Sequence, residues 1–96
     1  MSQPDLRVTE RLREIAFGIV TEIKRRGPTA FYDLDVLDSS AEISVRRAMR
    51  LMVRDRVIRC DMSRRVWLLV GTLPPALMPR SELERIASRL EVDYGY

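Results

Sequence analysis

Between residues 12 and 23 the apolar positions Leu12, Ile15, Ala16, Ile19 and Ile23 recur every three or four residues, the period of an amphipathic helix. Thr9 stands where an N-cap belongs. Glu10 and Glu14 come early and Lys24, Arg25 and Arg26 late, an order that suits the helix dipole. Gly27 fits the position just past the helix end, and Pro28 forbids continuation. A short second helix is expected over residues 30–37, capped by Thr29, with Phe31, Leu34 and Leu37 as its apolar edge. Ser39 followed by Glu42 reads as a capping box, so a third helix is expected from about Ser40 to Arg54. Residues 57–60 and 66–70 are rich in β-branched and apolar side chains and read as two strands of a hairpin, joined by a charged tip at residues 61–65.

Pro74, Pro75 and Pro79 make the following stretch stiff and extended. Ser81 with Glu84 forms a second capping-box pattern. Leu83, Ile86, Ala87 and Leu90 then give one apolar stripe on a helix of about ten residues, too short to stand without support. The stripe either folds back on the first helix or meets a second copy of the chain. Residues 2–7 are expected to be a frayed lead-in and residues 93–96 a loose tail.

The third helix changes the picture, because its two faces differ so sharply. At about 100° per residue, Ala41, Val45, Ala48, Met49 and Met52 fall on one side. Ile43, Arg46, Arg47, Arg50 and Arg54 fall on the other. The chain carries 17 basic and 14 acidic residues, a modest net charge of +3, but the excess is concentrated. Residues 41–65 hold eight arginines against Glu42, Asp55 and Asp61. A concentrated row of guanidinium groups, each a planar fork of donors, suits a polyanion.

The rest of the composition mainly excludes. Ninety-six residues make one domain, and 46% hydrophobic content suffices for one small core. Cys60 is the only cysteine and there is no histidine, which rules out an intrachain disulfide and leaves little from which to build a transition-metal site. Asp33, Asp35 and Asp38 lack the glycine and terminal glutamate of a calcium loop. No glycine-rich phosphate loop or nucleophile–base motif is present, so neither an enzyme nor a bound cofactor or small-molecule ligand is expected. No run approaches a membrane span, and a cytoplasmic protein is the expectation.

The order helix, short helix, helix, hairpin resembles a winged helix-turn-helix domain. The run Ser44-Val45-Arg46-Arg47-Ala48-Met49, with Met52, is similar to that family's recognition helix: a hydroxyl, a buried aliphatic, a basic pair and core positions. Gly27-Pro28-Thr29-Ala30 resembles the usual entry to the second helix, and Val66-Trp67-Leu68 the strand returning from the wing. The likeness spans about residues 12–70 and is specific to the superfold. The chain departs from it in carrying Arg56 before the first wing strand and Asp38 between the second and third helices, positions where the family often has glycine.

The resemblance implies a mostly α fold with a small β-hairpin: three helices and a two-stranded wing over residues 5–72, then a connector and an additional C-terminal helix over 73–96. It implies double-stranded DNA as partner, with the third helix in the major groove. Ser40, Ile43, Ser44, Arg46, Arg47 and Arg50 would lie nearest the DNA, and Arg64 and Arg65 at the hairpin tip would reach a flanking phosphate or the minor groove. A small transcriptional regulator is expected, dimerising through Leu83, Ile86, Ala87 and Leu90. The alternative is a winged-helix protein-interaction module without DNA readout, docking through the acidic second helix or the terminal stripe.

Overall fold

The computed structural model describes residues 7–93, with the backbone alone from residue 90 onward. The first helix, α1 (Glu10–Arg26), has the expected limits. The Thr9 side chain accepts from the Leu12 amide at 3.2 Å, and the Gly27 N–H donates to the Ile23 carbonyl at 2.7 Å. Gly27 turns the chain with φ 85° and ψ −168°, a backbone region essentially reserved for glycine. All five expected core residues of α1 are buried, together with Val20 and Glu22.

The expected second helix does not form. Residues Phe31–Asp33 and Asp35–Asp38 make two separate 3-10 turns, divided by Leu34 in an extended conformation. Leu34 is buried in the core, and the Glu22 carboxylate accepts the Asp35 amide, so each interaction holds the break open. Thr29 is no helix cap either. It bridges to Trp67, its N–H donating to the Trp67 carbonyl at 3.0 Å and its carbonyl accepting from the Trp67 N–H at 2.7 Å. Its hydroxyl donates to the Gly27 carbonyl.

The next helix, α2 (Glu42–Arg54), corresponds to the third helix expected from sequence but starts later than Ser40. Ala41 occupies its N-cap position without a side-chain cap. The Ser39/Glu42 capping box is absent: Ser39 closes the preceding 3-10 turn through the Val36 carbonyl, and Glu42 pairs with Arg46. Val45, Ala48, Met49 and Met52 are buried as expected, and Leu51 joins them, whereas Ala41 is exposed.

Strands β1 (Ile58–Asp61) and β2 (Val66–Leu69) pair antiparallel, with Ile58 opposite Leu69 and Cys60 opposite Trp67. Asp61 accepts from the Ser63 hydroxyl and the Arg64 amide, which holds its carboxyl below the ordinary range and orders the tip. Two arginines take left-handed backbone conformations, Arg56 at φ 58° and Arg65 at φ 57°. Each begins or ends a tight turn.

The core lies where α1, α2 and the hairpin meet, and Leu73 and Leu77 from the proline-rich stretch are buried in it. The last helix, α3 (Arg80–Asp93), begins one residue before Ser81, so the second capping box is not formed. Instead the Glu10 carboxylate accepts the Arg80 N–H at 2.8 Å, anchoring α3 beside the start of α1. The stripe does not fold back into the core: Leu83 is half-buried, Ile86 is 40% exposed and Ala87 is exposed. The side chain of Leu90, the tail at residues 94–96 and the lead-in at residues 2–6 lie outside the described residues. No helix among the described residues is long and apolar enough to cross a membrane.

Candidate nucleic-acid interface

The outward face of α2 is built by simple periodicity. With Val45, Ala48, Met49 and Met52 buried, the positions half a turn away must face solvent. Ile43 is 61% exposed, and Arg46, Arg47, Arg50 and Arg54 are exposed beside it. These side chains are not equivalent, because their neighbours differ.

Arg46 is held in place. Its Nε donates to the Glu42 carboxylate at 2.9 Å and a terminal nitrogen donates to the Tyr32 hydroxyl at 3.2 Å. Its guanidinium also lies 4.3 Å from the centre of the Phe31 ring, a cation–π distance. Phe31 and Tyr32 meet edge to face. The hydrogen bond Arg46 donates to Glu42, then the one it donates to Tyr32, raise the Arg46 pKa, so its charge is fixed. Arg54 is bound in a two-point pair with Asp55, which holds that carboxyl below its usual value and takes Arg54 out of contention as a free cation.

Arg47 and Arg50 make no ion pair or side-chain hydrogen bond among the described residues. They are the uncommitted cations of the row. Ser44 is half-buried on the flank of α2 that faces α1. Ser40 lies ahead of the helix, and its hydroxyl accepts from Arg11 at 2.7 Å while the same Arg11 nitrogen donates to the Ser39 carbonyl at 2.8 Å. Arg64 and Arg65 are exposed at the hairpin tip, on a separate element.

Two features of this surface have no counterpart in the sequence reading. The first is Arg11, which sits on the polar face of α1 and reaches the entry to α2 across 28 residues of chain. The second is the Phe31–Tyr32 pair, which braces Arg46 from the first 3-10 turn. Neither leaves a periodic signal. Trp67 is packed against the core, as its place in an apolar strand suggests. Its indole also floors a shallow apolar groove of about 580 Å³ between α2 and the hairpin, with Val53 and Val70 about half exposed along it and Arg56 and Arg59 at its edges.

The arrangement offers fixed positive charge, hydroxyls and one exposed aliphatic side chain. Of the aspartates of the 3-10 turns, Asp35 is used internally, lying within 3.6 Å of both Arg25 and Arg26. Among the described residues, no group of three or more histidine, cysteine or carboxylate side chains gathers as a metal site would. Comparison of the chain with protein-family models, with curated proteins and with solved structures finds no match.

Proposed function

We propose that this chain is a sequence-specific double-stranded DNA-binding protein of the winged helix-turn-helix kind, a small cytoplasmic transcriptional regulator. The observation that carries this reading is the exposed row on α2 in which Arg47 and Arg50 make no ion pair or side-chain hydrogen bond among the described residues. Unpaired guanidinium groups side by side repel one another, and a polyanion relieves that repulsion. The order α1, 3-10 turns, α2, hairpin is compatible with the winged-helix reading, with turns standing where that fold has its second helix. The single bridge from Thr29 to Trp67 ties the segment before the 3-10 turns to the returning strand, so the hairpin is braced against the helical body.

In this reading α2 enters the major groove, which admits one helix. Arg50 forks onto guanine and Ile43 touches a thymine methyl. Arg46, held by Glu42 and Tyr32, keeps a set direction and acts as a positioned cation. Ser40 and Ser44 serve the backbone, as do Arg64 and Arg65 at the tip.

Duplexes selected from a random pool should bind with an affinity that falls steeply as salt rises. Replacing Arg46 and Arg50 together by Ala should weaken binding about 100-fold, since one lost guanine fork costs roughly 1–3 kcal/mol and a lost phosphate contact adds to it. Fluorescence anisotropy against a selected duplex checks this, and unchanged affinity in the double variant would reject the reading.

One observation favours a second reading, a protein-interaction module: the groove floored by Trp67 is apolar and open. A protein partner there would bind with weak salt dependence, so the same titration separates the two.

A regulator reading a two-fold site needs a second copy, and the stripe of half-buried Leu83 with exposed Ile86 and Ala87, continued in sequence by Leu90, is the proposed contact. Sedimentation should give a dimer for the whole chain and a monomer after removal of residues 81–96. A monomer in both cases ends the dimer proposal.

A further inference from the structure

Beside the row on α2 lies a cleft of about 280 Å³ between that helix and the start of α1. Arg11, Arg47, Thr9 and Ser44 line it over a floor of Leu12 and Leu51, and Arg7 lines it as well. Among the described residues, no carboxylate belongs to its lining. We propose that this cleft is a phosphate site that seats one phosphodiester of the duplex backbone, so that α1 and α2 together grip the DNA. The proposal rests on the DNA-binding reading and extends it to residues outside the expected contact set.

Three observations carry it. First, Arg11 is already positioned. One terminal nitrogen is occupied by the Ser39 carbonyl and the Ser40 hydroxyl, which leaves Nε and the other terminal nitrogen available. The nearest acid to that second nitrogen, Glu14, stands at 3.8 Å with both side chains more than half exposed, a weak pair in water. Second, Arg47 shares the cleft with Arg11 and makes no ion pair or side-chain hydrogen bond among the described residues, so two arginines line it with no carboxylate among the described lining residues. An anion bound there gains charge-assisted hydrogen bonds from both, with the Ser44 hydroxyl beside them.

Third, the cleft lies on the flank of α2 and not on its crest. Counting about 100° per residue, Ile43, Arg50 and Arg54 define the crest, while Ser44 and Leu51 lie about a quarter turn round toward α1 and Arg47 between. A helix with its side chains is about 10–12 Å across and the major groove about 12 Å wide, so the flank of an inserted helix meets the phosphate wall and not the base edges. A cation pair on the flank therefore fixes register and depth, and sequence is left to the crest.

The test places a single uncharged methylphosphonate linkage at each backbone position of a bound duplex in turn. One position is expected to cost the native protein about 10-fold in affinity, the worth of a charge-assisted hydrogen bond. The same linkage should cost the Arg47→Gln variant almost nothing. Arg47→Gln should also weaken every duplex to a similar degree and lower the slope of log affinity against log salt by about one. Arg11→Gln should couple to the same linkage. Arg47 makes no ion pair or side-chain hydrogen bond among the described residues, so its variant remains informative should Arg11→Gln loosen the turn at Ser39. If every linkage costs the native protein and Arg47→Gln alike, the cleft assignment is wrong while the DNA reading survives. If no duplex binds at any salt, both fall. If inorganic phosphate, at matched ionic strength, raises the melting temperature of the native protein but not of Arg47→Gln, and no linkage couples to Arg47, the cleft holds a free phosphate and the proposal is overturned.

Discussion

Gly71→Ala should lower the melting temperature by about 12–24 °C. A Cβ at position 71 would be driven into the carbonyl oxygen of Arg56, with the Arg56 carbonyl carbon 3.5 Å away. The obstacle is backbone, which cannot swing aside as a side chain can. It is also pinned. Val57 accepts the N–H groups of both Val70 and Gly71, and Arg56 itself is in the left-handed region. Overpacking of this kind costs about 3 kcal/mol, and each kcal/mol moves the midpoint of a domain this size by about 4–8 °C.

The consequence reaches function, because this contact closes the turn between α2 and the hairpin. A variant that still folds should present α2 normally but lose the set of the wing. Circular dichroism melting checks the stability, with Gly18→Ala as the control. Position 18 is helical with nothing within 4 Å of an added Cβ, so alanine there should stabilise by roughly 1 kcal/mol. Equal melting temperatures for the two variants would show that the close approach at Gly71 carries no energetic weight.

Glu22→Ala should cost about 3 kcal/mol in urea unfolding, the combined effect of an orphaned, part-buried N–H and a cavity. Glu22 is only 5% exposed, and both its oxygens accept the Asp35 amide, at 2.9 and 3.0 Å, while one pairs with Arg26. Arg26 is over a third exposed and can return to water, so the ion pair contributes little of that figure. The greater part comes from the Asp35 N–H. That amide opens the second 3-10 turn, which leads directly to Ser39 and Ser40 and so to the entry of α2. Glu22→Gln keeps one acceptor and should lose only about half as much. A loss below about 0.5 kcal/mol for Glu22→Ala, the level of an ordinary surface change, would refute the idea that this carboxylate staples the turn to α1.

The sequence by itself determined α1 almost to the residue. Thr9, the three- and four-residue apolar spacing and Gly27 all act within one turn of the chain, so local chemistry suffices. It also determined the two faces of α2 and the existence and position of the hairpin, since burial of one face obliges the other to face water. Arg47 and Arg50 were legible as outward-facing cations on the same ground.

What lay beyond it were interactions between distant residues. The capping box at Ser39 is satisfied on paper, yet Ser39 is taken by the turn before it and α2 starts at Glu42. The helix expected over residues 30–37 is divided because Leu34 is drawn into the core and Glu22, 13 residues earlier, takes the Asp35 amide. Glu10 secures the start of α3 across 70 residues, in place of the local cap at Ser81. Arg11 joins the cleft beside Arg47 only because α1 and α2 pack together. Periodicity and caps report what a chain can do within a few residues, and these segments were decided by partners that only the packed fold brings within reach.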